Sequence, residues 1–337
     1  MPTASMVSRF TRRVHTLPVK AKTFYLVLLL FGFFISVFSR WMAGVLPSAP
    51  ITIDDVYDIL SDPILIVGIL AAYYYLDDEI ADAMDQSREI SALSDEQYSK
   101  LKNELVVIPL WPHLAVGLIF GAGAVQGAFE TYGLNTIRPS NILLLAEWAL
   151  VGALFFGFAY RVIRLIFLSG RFYAGPLHLD LYNLPPVYEL SSAVGKVALV
   201  QLLFWYPNLY FNTNAVSSPY RLVIVLIVSL APLMAFLVPQ AILSRRLARE
   251  KSDRVVRVQK ELESTFVRLS SEIKKENIDG SRSIQSAIDS LVSERRFIES
   301  IPTWPWRLGT FRVAVTAVLL PVFVWLIQQV LDRLLNF

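Results

Sequence analysis

Apolar residues fall along this chain in long runs separated by short polar stretches. A bilayer's hydrocarbon core of ~30 Å takes about 20 consecutive apolar residues as a helix. Runs at or near that length lie at 24–46, 63–76, 105–129, 142–168, 190–211, 222–243 and 308–331. They predict an all-α, polytopic membrane protein with seven transmembrane helices. The second run is short, so its helix is expected to begin earlier, at 56–60, or to tilt little. Ser61, Asp62 and Pro63 read as an N-cap followed by Pro in the first turn, which predicts a break there. Tyr73, Tyr74 and Tyr75 fall where an aromatic belt would meet the headgroups. No internal repeat is visible, so an inverted-repeat transporter is not supported.

The one long polar stretch, 245–307, has a different period. Val255, Val258, Leu262, Phe266, Leu269 and Ile273 follow one another at three or four residues, the face of a single helix. Ile284, Ile288, Leu291 and Ile298 continue the pattern in a second arm. Asp279, Gly280 and Ser281 between them read as a turn. The stretch therefore predicts a helical hairpin. Nothing interrupts its link to the sixth run, so one helix from Leu222 to about Glu276 is expected, bent at Pro232 and Pro239. Its polar part would project ~45 Å from the membrane. Glu250 with Arg254, and Asp253 with Arg257, stand at i,i+4 with the acid first. The hairpin is either a solvated structure or a coiled coil with sister subunits or a partner.

Ser94 and Gln97 form a capping-box pattern in the loop 77–104, so a helix starts there and is expected to run into the third span. That loop carries Asp77, Asp78, Glu79, Asp82, Asp85, Glu89, Asp95, Glu96 and Glu104 against three cations. It either docks on the basic hairpin or stays solvated. Pro302 and Pro305 cannot share a continuous helix, so they mark a joint before the last span, with Trp304 and Trp306 at headgroup level. The loop 173–188, with Pro176, Pro185 and Pro186, would lie on the same interface.

Composition agrees with a membrane protein. Hydrophobic residues make up 55%, charged residues 18%, and the mean hydropathy is +0.50. Soluble domains run nearer roughly 45–50% and 25%. Cys is absent, which excludes disulfides, thiolate metal sites and a cysteine nucleophile. Charge predicts orientation. Of 31 Lys and Arg, only Arg40, Arg138, Arg221 and Arg333 fall on one side of the alternating spans, and Lys196 falls within a span. The other 26 share the opposite side, which the positive-inside rule makes cytoplasmic. The N-terminus is then cytoplasmic and the C-terminus outside. The first span reads as an uncleaved signal anchor behind Arg9, Arg12, Arg13, Lys20 and Lys22. The expected organisation is a basic segment 1–22, a six-helix region 23–243, a cytoplasmic hairpin 244–306, and the seventh helix 307–337.

Catalytic motifs are missing. His15, His113 and His178 lack metal-site spacing, Gly195-Lys196 lacks the rest of a P-loop, and there is no G-x-S-x-G. The seventh span has no Lys for a retinal Schiff base. His178 and Asp180 are a weak metal or phosphate signal. No enzyme activity, cofactor, metal or nucleic-acid partner is expected. Ionisable residues inside predicted spans are functional candidates because burial in lipid is costly: Glu147, Lys196 and His113. Each has a structural alternative: Glu147 paired between helices, Lys196 snorkelling to the headgroups. Small residues at i,i+4 predict that spans three and four pack together: Gly117/Gly121, Gly123/Gly127 and Ala149/Ala153/Gly157. In the last span Gln328, Asp332, Trp325 and Pro321 share a stripe, which suits a pore entrance or an ordinary boundary.

The topology resembles the seven-transmembrane ion channel superfamily that includes insect odorant and gustatory receptors. It also looks like uncharacterised prokaryotic multi-pass membrane proteins. The shared features are the cytoplasmic N-terminus, the long sixth helix (245–276 here), the returning helix (281–300), the joint (301–306) and a seventh span ending near the C-terminus. The family's Thr-Tyr motif is echoed by Thr310-Phe311, with Phe in place of Tyr. The resemblance implies a tetramer around a pore lined by the seventh helix, with Gln328, Gln329, Val330 and Asp332 near its constriction. Pro302, Pro305 and Pro321 would be hinges. Two functions follow as expectations: a homo-oligomeric, cation-conducting channel subunit in the cell membrane, with ligand gating as an option; or a membrane-anchored scaffold that recruits a cytoplasmic protein through 245–300. Membrane lipid is a partner in both.

Overall fold

The computed structural model describes residues 21–46, 53–211, 219–274 and 278–303. Its helices are α1 (Ala21–Ala43), α2 (Ile53–Gln86), α3 (Asp95–Val106), α4 (Leu110–Tyr132), α5 (Ile142–Ala174), α6 (Pro185–Phe211), α7 (Pro219–Lys274) and α8 (Ile278–Ser300). No strand occurs among the described residues. Five helices are long and apolar enough to cross a membrane: α1, α2 from Val56, α4, α5, and α6 as far as Trp205. The chain is a helical membrane protein. The sixth expected span opens α7. The seventh lies outside the described residues, together with Pro305, Pro321, Gln328, Gln329, Val330 and Asp332.

α1 has its chemistry inside out relative to a soluble helix. Its buried residues are Ser36, Ser39 and Arg40, while Leu26, Leu30, Phe34 and Trp41 are exposed. Lipid accepts the apolar face, and the polar groups must find partners in protein. α5 is the hub, packing against α1, α2, α3, α4, α6 and α7. The α4–α5 contact is close because small residues face each other. A Cβ on Gly121 would stand 2.8 Å from the Ala149 carbonyl oxygen. Gly123 faces open space, so only part of the predicted small-residue pattern is interface. α2 contributes Ile69, Tyr73, Leu76, Ile80 and Met84 to the core at a helical spacing.

Several boundaries differ from expectation. α2 runs unbroken through Asp62 and Pro63, because side chains of α1 satisfy the carbonyls beside the proline. Tyr73 is fully buried rather than at an aromatic belt, whereas Tyr75 is exposed. α3 has the capping box at Ser94 but ends at Val106; Val107 is extended and Pro109 caps α4. The helical region is disfavoured for a residue before proline, and the chain breaks at Val107 and Ile108 rather than carrying Pro109 inside a helix, as α2 carries Pro63. α5 continues through Arg161 to Ala174, and α6 begins at Pro185, where missing N–H groups cost nothing. Asp279, Gly280 and Ser281 lie within α8, so the turn is not there.

α7 has 56 residues, with Pro232 and Pro239 inside it, about 84 Å at 1.5 Å per residue. α8 packs back along it. Val258 and Leu262 are buried against Ile288 and Ile298, but Phe266 and Ile273 are half exposed. The expected intrahelical pairs are replaced. Arg254 binds Glu294 across the hairpin at 3.0 Å, and Arg257 reaches Glu250 at 3.1 Å.

Candidate functional site

One face of α1 carries Gly32, Ser36, Ser39 and Arg40, spaced as i, i+4, i+7 and i+8. This face meets α2 at Pro63. Gly32 allows the approach, since a Cβ there would lie 3.2 Å from Pro63 Cβ. Pro63 has no N–H, and its ring crowds the carbonyl four residues back. That carbonyl, on Ile59, accepts from the Ser36 hydroxyl at 2.9 Å. The neighbouring carbonyl of Asp58 accepts from Arg40 Nη2 at 2.5 Å. The α1 side chains thus complete the backbone bonding of α2 at membrane depth.

Arg40 then joins three helices. Its Nη2 donates to Asp62 Oδ2 on α2 at 2.8 Å. Its Nη1 lies 3.5 Å from Glu147 Oε2 on α5, which also accepts from Ser39 Oγ at 2.8 Å. The guanidinium stands 5.9 Å from the centre of the Tyr132 ring on α4. Side-chain exposures are 3% for Arg40, 10% for Asp62 and 5% for Glu147. Two carboxylates share one guanidinium, so negative charge is in excess at these three residues.

A second cluster joins α2 and α5 lower down. Arg161 Nη2 is 2.5 Å from Asp77 Oδ1, with 1% and 2% of the side chains exposed. Arg161 Nη1 donates to the Tyr73 carbonyl at 3.2 Å, and its guanidinium lies 5.3 Å from the Tyr73 ring. His113 meets that ring edge-on at 5.9 Å. Gly157 makes the room, because a Cβ there would come within 2.6 Å of His113 Cε1. Asp62 to Asp77 and Glu147 to Arg161 span 15 and 14 residues, so the clusters are about 21 Å apart along both helices.

Of the three candidates read from the sequence, Glu147 belongs to the first cluster and His113 flanks the second. Lys196 joins neither. It binds Glu79 of α2, and its side chain is 46% exposed. Arg40, Asp62, Asp77 and Arg161 escaped the sequence reading: Asp62 and Asp77 border an apolar run, where charge looks like loop, while Arg40 and Arg161 lie inside the runs 24–46 and 142–168 but read as flanking cations in the charge count. The signal was the matched spacing of acids and bases within two long apolar helices.

Part of the acidic region is paired within the bundle. Asp85 binds Lys102 and Asp95 binds Arg88, each at 2.5 Å, while Glu104 meets Arg171 at 3.4 Å. The acidic region therefore bonds to the bundle's own cations. The hairpin docks instead on the loop after α5. Arg246 donates to the Ala174 and Gly175 carbonyls at 2.6 Å each. Tyr182 donates to Glu294 at 2.9 Å and stacks on Phe297, ring centres 5.5 Å apart. These bonds to Tyr182 and then to Arg254 hold the Glu294 carboxyl below its ordinary value. Burial, then the charge of Asp85, pushes the Tyr98 phenol up to about 12. His178 and Asp180 serve the loop's own backbone: beside the Ser91–Leu177 bridge the His178 N–H donates to the Ile90 carbonyl, and Asp180 Oδ1 accepts from the Tyr182 N–H. No cluster of three or more metal-binding side chains occurs among the described residues. Pro302 is exposed after the buried Ile301, whose carbonyl accepts from Lys251 at 2.8 Å.

Beside the first cluster an apolar cleft of about 310 Å³ lies between α1, α2 and α5. Glu147 is in its wall. Compared with family models, curated proteins and solved structures, the chain matches none.

Proposed function

We propose that the protein is a homo-oligomeric, cation-conducting channel subunit of the cell membrane. Its N-terminus is cytoplasmic, and residues 307–337 line the pore. The observation that supports this reading is the excess carboxylate at Arg40, Asp62 and Glu147. A net negative charge held among membrane-spanning helices lowers the energy of a cation there, which a permeation path requires. In this reading Gln328, Gln329, Val330 and Asp332 form a second, outer constriction. The test is flux from the purified protein in planar bilayers. Glu147→Gln is expected to lower cation selectivity without altering assembly, and Gln328→Ala, Gln329→Ala or Asp332→Asn to alter conductance. Absence of current from a well-folded oligomer, across voltage, would defeat the channel reading.

A second reading has its own support. Toward the far end of α7, Phe266, Val267 and Ile273 are half or more exposed. Such a stripe suits a scaffold that recruits a cytoplasmic protein. This reading expects no current, and expects deletion of 250–298 to abolish partner capture alone.

A further inference from the structure

The cleft beside the first charge cluster has walls of one chemistry and a single charged group. Phe31 and Gly32 of α1, Pro63 and Val67 of α2, and Ala146 and Glu147 of α5 line it. Among the lining residues, Glu147 alone is ionisable. It is 7% exposed, and both of its polar contacts fall on Oε2. Its Oε1 has no partner among the described residues. Asp62 takes the shorter contact with Arg40, 2.8 Å against 3.5 Å for Glu147.

We infer that this cleft binds a small lipophilic cation, an ammonium group on a short apolar body. The apolar walls take the hydrocarbon body. The ammonium donates to Glu147 Oε1 and offsets the excess negative charge of the two carboxylates on Arg40. An anionic ligand would meet two carboxylates, and a neutral one would leave the charge uncompensated. About 310 Å³ is at the low end of ligand sites, which limits the body to a short chain or single ring. A free amine and the ammonium headgroup of a membrane lipid share this chemistry. The inference concerns binding alone and holds whether or not the protein conducts.

The full chain in nanodiscs of phosphatidylglycerol tests it, with n-octylamine and n-octanol as probes. Octylamine is expected to raise the unfolding temperature and bind saturably, and octanol to bind at least tenfold more weakly. Glu147→Gln should erase that preference. Ala146→Phe, at an exposed position in the cleft wall, should weaken octylamine at least tenfold even if the Glu147 variant fails to fold. Added phosphatidylethanolamine distinguishes the sources: competition assigns the site to a lipid headgroup, and undiminished octylamine binding assigns it to a free amine. Equal binding of octanol and octylamine, or full octylamine affinity in Ala146→Phe, would overturn the inference.

Discussion

Among the described residues Arg40 is the only cation bonded to Asp62 and Glu147, so its loss leaves two buried carboxylates facing each other. Breaking a buried pair from one side costs about 3–5 kcal/mol, whereas replacing the whole set by neutral groups costs far less. Arg40→Met should therefore destabilise strongly in thermal unfolding of the detergent-solubilised protein. Adding Asp62→Asn and Glu147→Gln should restore most of the loss; a triple variant no better than the single one would contradict this account. Gly157 gives a second test. Gly157→Leu would drive a side chain into His113 and cost about 1–3 kcal/mol, as overpacking does. His113→Ala in the same chain should relieve it. Glu147 was legible as a candidate because it stands well inside an apolar run. Its partners were not, because Asp62 borders an apolar run, Arg40 reads as a flanking cation of the first span, and their pairing depends on how three helices meet.

Secondary elements were more legible than their ends. The capping box at Ser94 and the long helix entering the hairpin follow from local pattern and need no tertiary information. Pro63 misled because its carbonyl partners come from α1, about 23 residues earlier, which no local rule sees. The Asp279–Ser281 segment misled because Gly is tolerated in a helix start as readily as in a turn. The hairpin's attachment makes a pH prediction. Glu294 titrates below its ordinary 4.5, so its bonds favour the docked hairpin above that pH. As pH falls through the lowered value, the carboxyl protonates and that contribution is lost. Protection of the amides in 286–300, corrected for the intrinsic slowing of exchange in acid, should fall as pH drops below 4.5 through the lowered value. Glu294→Gln should remove most of the pH dependence. The effect is small, since exposed pairs contribute about 1 kcal/mol or less.

At the scale of the molecule, membrane residence was the clearest reading, since run length and low charge both demand it. Which charges would be buried was not clear, because burial is a property of the assembled bundle. The charge asymmetry makes orientation testable. The chain has no native Cys, so single cysteines report cleanly. Ser286→Cys on α8 and Asn135→Cys between α4 and α5 both place the thiol at exposed positions. In intact cells a membrane-impermeant maleimide should label Asn135→Cys and spare Ser286→Cys. The opposite pattern would invert the topology.

The first cluster also constrains how the protein is made. Arg40 leaves the ribosome 22 residues before Asp62 and 107 residues before Glu147. Arg40 stands in the last turn of α1, where a lone arginine can snorkel to the headgroups. Before α2 and α5 are in place, its guanidinium therefore has water or a lipid phosphate as partner. Closing the bundle exchanges that partner for Asp62 and Glu147.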